Sequence, residues 1–183
     1  DISPLCVLIS KVKTESVDAL DEIKKYKDFY LFKKGVKEPS DERVKNFYKV
    51  AEMMAHSDQS RRGRNFESSF ISDALKMIAS VEDYGNAIKK HNLKIGKTKI
   101  LEGDTRKINL KNESVDGIIT SPPYSIALNY VANDAHSLKA LGYDLEKIKE
   151  DFIGVRGTGL NKFELYDKDM EKAYSEMYRV LKK

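Results

Sequence analysis

Apolar residues recur along this chain in two rhythms. Between Glu15 and Asn92 they step at helical spacing: Val17, Leu20 and Ile23 share one face before Gly35 and Pro39 interrupt the run. Ser40 stands where a cap is needed for a second helix, whose inner side carries Val44, Phe47, Tyr48, Ala51 and Met54. A third helix uses Phe66, Phe70, Ile71, Ala74, Leu75 and Ile78. Outside this stretch the runs are shorter and strand-like. Lys97 to Glu102 alternates toward Ile100, and Val115 to Ile119 is an apolar run stopped abruptly by Pro122 and Pro123. A helix is expected from Ile126 to Leu141, ended by Gly142, then a short amphipathic helix from Asp144 to Phe152 and a mobile glycine loop at 154–159. The last helix, Asp169 to Lys183, sets Met170, Ala173, Tyr174, Met177, Val180 and Leu181 on one face, as if to pack on a sheet.

Strands alternating with helices predict an α/β fold, a mainly parallel sheet wrapped by helices and incomplete at one edge. Residues 1–13 read as a strand end, a turn at Pro4 and an apolar helix; 14–96 as a helical insertion; 97–183 as the α/β portion. With 183 residues, 40% of them hydrophobic, one substantial core is expected. The single Cys6 excludes an internal disulfide framework and fits a reducing compartment. No apolar run reaches membrane-spanning length and no signal segment is visible, which predicts a cytoplasmic protein with no membrane partner. A net charge of +4 permits nucleic acid as a partner without requiring it.

The chemistry concentrates at Ser121-Pro122-Pro123-Tyr124. Two successive prolines remove two N–H donors, keep both carbonyl acceptors and stiffen the backbone. Ser121 adds a hydroxyl acceptor and Tyr124 a flat aromatic face. Such an array suits a planar ring bearing an N–H donor, as an exocyclic base amine does. The lone pair of that amine is delocalised into the ring, so acceptors must hold and turn its N–H bonds before it can act as a nucleophile.

Ser-Pro-Pro-Tyr after a hydrophobic run resembles the catalytic motif of S-adenosylmethionine-dependent amino-methyltransferases, and its serine is most similar to the cytosine-N4 branch. The resemblance covers residues 1–13 and 97–183 and implies a Rossmann-like fold. It implies that Ser121 and the Pro122 carbonyl hold the target amine, and it places Pro123 in the same catalytic motif. Tyr124 would stack on a base flipped out of DNA, and Asn129 and Tyr130 would line its pocket. It further implies that Asp1 binds the cofactor ribose, Ile2 packs on its adenine and Asp104 accepts from the adenine amino group. From the residues alone, Asp1 also reads as an exposed terminal acid and Asp104 as a turn former. The family's glycine-rich cofactor loop has no match here. The chain is therefore expected to be an internal portion of a longer enzyme, depending on the remainder for activity.

The expected activity is site-specific methylation of cytosine N4 in DNA, as in restriction-modification systems. The alternatives are adenine N6 in DNA, guanine N2 in transfer RNA, and a non-catalytic nucleic-acid-binding module. For the module, Arg61, Arg62 and Arg64 form the densest basic cluster, readable as a phosphate grip or as a solvated loop. His56, His91 and His136 lack acids or cysteines at ligand spacing, and no metal site is expected.

Overall fold

The middle of the chain is helical because its apolar residues return at every helical turn. The structure, a computed structural model, describes residues 1–34, 38–124 and 128–183; the break expected at Gly35 lies outside them. α1 (Pro4–Glu15) begins on a proline, whose missing N–H costs nothing at the first helical position. The short α2 (Leu20–Lys25) and α3 (Lys27–Phe32) lead to the long α4 (Glu42–Arg62) and α5 (Phe66–Lys90). Asp41, one residue after Ser40, caps α4 by accepting from the Arg43 N–H at 2.9 Å. Asn65 caps α5 through the Ser68 N–H at 3.0 Å.

Contacts divide the described chain into two units, Leu5–Ile100 and a second formed by Asp1–Pro4 with Leu101–Lys183. The core of the helical unit gathers Val12, Ile23, Leu31, Val44, Phe47, Tyr48, Ala51, Ala74 and Ile78. Tyr30 stacks on Tyr48 with ring centroids 4.1 Å apart, so these aromatics pack with one another. The buried Tyr48 hydroxyl donates to the Ile23 carbonyl at 2.7 Å, and burial pushes its ionisation well up. Tyr48→Phe keeps the packing and strands that acceptor, so a loss of about 1 kcal/mol is expected, read from the urea midpoint.

In the second unit, the helix expected from Ile126 to Leu141 is two short ones, α6 (Tyr130–Asn133) and α7 (Ala135–Ala140), which meet at Asp134. Its first two residues, Ile126 and Ala127, lie outside the described ones. α8 (Leu145–Asp151) follows, and α9 runs from Gly159 to Val180, starting well before the expected Asp169. None of the described helices is long and apolar enough to cross a membrane.

The α/β architecture with a Rossmann-like, mainly parallel sheet is corrected by the structure. Helix accounts for 62% of the described residues, and among them no strand forms. What remains of the pairing is an isolated parallel bridge, Val115 to Leu181, and a contact of Asp1 with the 101–103 segment. The reason lies in hydrogen bonding. An apolar run becomes a strand only where neighbours supply a ladder of N–H and C=O groups. Here Ser114 and Val115 both donate to the Val180 carbonyl, at 2.8 and 3.0 Å, and Lys182 donates back to Val115 at 2.9 Å. Beyond that, Ile118 and Ile119 stay at the surface, Ile119 completely, and so does Leu101.

Candidate functional site

Three segments of the second unit hold the candidate site residues, and α9 anchors two of them. Asp1 lies beside the segment around Gly103: its nitrogen donates to the Leu101 carbonyl at 3.0 Å, and its carbonyl accepts from the Gly103 N–H at 2.9 Å. This pairing brings Asp1 next to Gly103-Asp104, so the two acids singled out for the cofactor share one locality. The Asp1 carboxylate also accepts from the Ser3 N–H at 2.8 Å and so shapes the turn into α1. Ile2 is half-buried.

Asp104 does form a turn. Its carboxylate accepts from the Arg106 N–H at 2.8 Å, and both of its oxygens take the Arg106 guanidinium at 2.8–2.9 Å. Burial opposes the charged form, but the bonds from the Arg106 side chain and backbone outweigh it and hold the carboxyl below its ordinary value. A depressed native pKa gives stability that is fully present above the ordinary carboxylate value, near about 4. It is lost as pH falls through the native value. Asp104→Asn is therefore expected to flatten the loss of stability below about pH 4, measured as urea midpoints against pH.

Arg106 continues the network inward. It reaches the Asp169 carboxylate at 3.0 Å and the Asp151 carbonyl at 2.9 Å. Arg156, from the loop before α9, donates to the same Asp169 at 2.7 and 3.2 Å. Asp169 is 1% exposed. The result is a chain Asp104, Arg106, Asp169, Arg156 that fastens the acid segment and the glycine loop to α9. That loop is pinned at Arg156, where the sequence suggests a mobile one. Nothing in the spacing of Arg106, Arg156 or Asp169 announces the network, since an Asp within an amphipathic helix ordinarily faces water.

The Ser-Pro-Pro-Tyr segment meets α9 a turn earlier. The Tyr166 hydroxyl donates to the Pro123 carbonyl at 2.9 Å, and Tyr166 and Asp169 are three residues apart on one helix. The Tyr124 N–H faces the Tyr130 hydroxyl at 3.5 Å, at the long limit of a hydrogen bond. Gly154, at φ +78°, closes the packing: a Cβ there would sit 3.3 Å from the Tyr124 carbonyl oxygen and 3.5 Å from the Tyr166 ring. Ser121 and Tyr124 are exposed, and Pro122 and Pro123 are half-buried. The bond from Tyr166 goes to Pro123 and not to Pro122, whose carbonyl is the acceptor assigned to the amine. Tyr166 has a weak signal in the sequence, because Phe163 and Tyr166 extend the spacing of Met170 and Ala173 backwards.

Asn129 and Tyr130 sit at the start of α6. The Asn129 side chain caps that helix through the Ala132 N–H at 3.0 Å, and Tyr130 reaches the Tyr124 backbone. The arginine cluster belongs to the helical unit. Arg62 and Arg64 both pair with Asp58, at 2.8 and 2.6 Å, and Arg61 is exposed. The guanidinium of Arg64, helped by that of Arg62, holds the Asp58 carboxyl below its usual value. Asp58 thus offsets one of the cluster's three positive charges. Among the described residues, no three His, Cys, Asp or Glu side chains gather to hold a metal ion. Compared with known proteins, the chain matches no family model, no curated protein and no solved structure.

Proposed function

We propose that this chain serves methyl transfer from S-adenosylmethionine to the exocyclic N4 amine of cytosine in DNA. One observation carries the reading: an acceptor and stacking array, Ser121 to Tyr124, exposed at its two ends, is fixed to the same stretch of α9 that fixes the Asp104 segment. The reading rests on side-chain chemistry at the site and not on a fold class.

The residues present fit the cofactor in part. Asp1 and Asp104 lie on paired segments and offer carboxylate acceptors for ribose hydroxyls and an adenine amine, with Ile2 half-buried beside Asp1. At Asp104 the Arg106 guanidinium already occupies both oxygens, so an adenine amine there replaces one of its bonds. When bound, S-adenosylmethionine supplies a methyl carbon on a sulfonium, an electrophile that needs no covalent enzyme intermediate. The chain's own part is to orient. Ser121 and the Pro122 carbonyl accept the two amine N–H bonds and turn the lone pair out of conjugation with the ring. Tyr124 stacks the base, and the surplus proton leaves through the Ser121 hydroxyl to water.

Arg61, Arg62 and Arg64 are proposed phosphate contacts, reduced in strength by Asp58. Labelled S-adenosylmethionine, offered with DNA and with transfer RNA and followed by nucleoside analysis, tests the proposal. N4-methyldeoxycytidine is the expected product. N6-methyldeoxyadenosine would move the target to adenine, and N2-methylguanosine alone would overturn the DNA reading. DNA binding lost in the Arg61, Arg62 and Arg64 triple alanine variant, with no methylation from any form, would make the chain a binding module.

A further inference from the structure

The peptide joining Pro123 to Tyr124 is held at its carbonyl by one phenol and faced at its N–H by another. Its carbonyl accepts from Tyr166 at 2.9 Å, and its N–H faces the Tyr130 hydroxyl at 3.5 Å. The pyrrolidine ring already sets φ at Pro123, so the orientation of this plane is the main freedom left in the backbone leading to Tyr124. That orientation decides where the Tyr124 side chain leaves the backbone. The Tyr124 ring itself is 61% exposed, so the direction of its approach to a ligand is set from behind, by the backbone.

We propose that Tyr166 is a positioning residue for the target base: its hydroxyl fixes the Pro123–Tyr124 peptide and so aims the Tyr124 ring, without touching the base. The inference rests on the base-amine reading given above. Two further features agree with it. Gly154, at φ +78°, lets the loop lie close against both the Tyr124 carbonyl and the Tyr166 ring, where a Cβ would sit tight against the carbonyl oxygen at 3.3 Å. Arg156, two residues on, is locked to Asp169, one helical turn from Tyr166. The hydroxyl also ties off one of the two proline carbonyls. The Pro122 carbonyl and Ser121 then remain as the two acceptors that the base-amine reading assigns to an amine with two N–H bonds.

The test uses a single-stranded oligonucleotide with one 5-fluorodeoxycytidine, which keeps its N4 amine. Its fluorine shift reports stacking on Tyr124, and the anisotropy of an end label reports overall binding. Tyr166→Phe is expected to weaken the stacked population about fivefold, the worth of one neutral hydrogen bond, with anisotropy and circular dichroism unchanged. Restoring a donor with 4-aminophenylalanine at position 166 should recover the shift. If Tyr166→Phe stacks like the wild type while Tyr124→Ala abolishes the shift, positioning by Tyr166 is wrong and the base reading stands. If stacking and overall binding fall together and no donor restores them, Tyr166 is merely structural and the proposal fails. A wild-type shift absent, or indifferent to Tyr124→Ala, overturns the base reading and this inference with it.

Discussion

Asp169→Ala is expected to cost the second unit about 3 kcal/mol, because it takes from Arg156 the carboxylate it pairs with and from the buried Arg106 one of its two carboxylate partners. Asp169 is 1% exposed, and Arg106, which it pairs at 3.0 Å, keeps only 11% of its side chain in contact with solvent. Arg156, at 28%, loses the carboxylate it pairs with, whereas Arg106 keeps Asp104. The size of the effect distinguishes this network from pairs such as Lys149 with Glu146, which lie on a helix surface and contribute about 0–1 kcal/mol. Removing the buried acid hurts by what it strands, not by the attraction it deletes. Asp169→Asn keeps the volume and one acceptor oxygen, so a smaller loss is expected. Urea unfolding gives the magnitude, and hydrogen exchange gives the location: protection should fall at 104–106 and 154–156, where the two arginines begin, with α4 and α5 unaffected.

Local patterns were legible and non-local ones were not. The helices around Phe47 and Phe70 could be read because a helix repeats its apolar face within one turn, and the cap of the first, Asp41, lies one residue after the expected Ser40. The strand rhythm at Val115 to Ile119 was equally clear, yet a strand also needs partners distant in sequence, and here the pairing stops at one bridge with Leu181. The Asp104 acid was found, along with its turn-forming alternative; its tie to Asp169 was hidden because the two are 65 residues apart and burial of an acid leaves no periodic mark. Arg62 and Arg64 stood out as a basic cluster, but reading charges by sign alone passed over Asp58, one helical turn before Arg62. The motif itself needed no folding context, since its stiffness and its acceptors are covalent properties of Ser-Pro-Pro-Tyr. Its attachment through Tyr166 did.

Ser121→Ala is expected to lower the rate of methyl transfer on the order of a hundredfold, the usual cost of removing one preorganised hydrogen-bond partner from a reacting group. The exocyclic amine is a poor nucleophile while its lone pair is conjugated, and in the proposed reading Ser121 is one of two acceptors that turn it. Its side chain is exposed, so the substitution should leave stability within about 0.5 kcal/mol of the wild type. Base stacking depends on Tyr124 and should persist. The rate effect would thus appear in kcat more than in KM, because the lost interaction acts on the reacting amine.

The measurement that bears most directly on the account is the yield of N4-methyldeoxycytidine, by mass spectrometry of DNA digested after incubation with S-adenosylmethionine and either the wild type or Ser121→Ala. The account predicts the modified nucleoside with the wild type, at a rate on the order of a hundredfold above that of the variant. Equal yields from the two proteins, methylguanosine from transfer RNA as the sole product, or no methylated nucleoside from either polymer would contradict it.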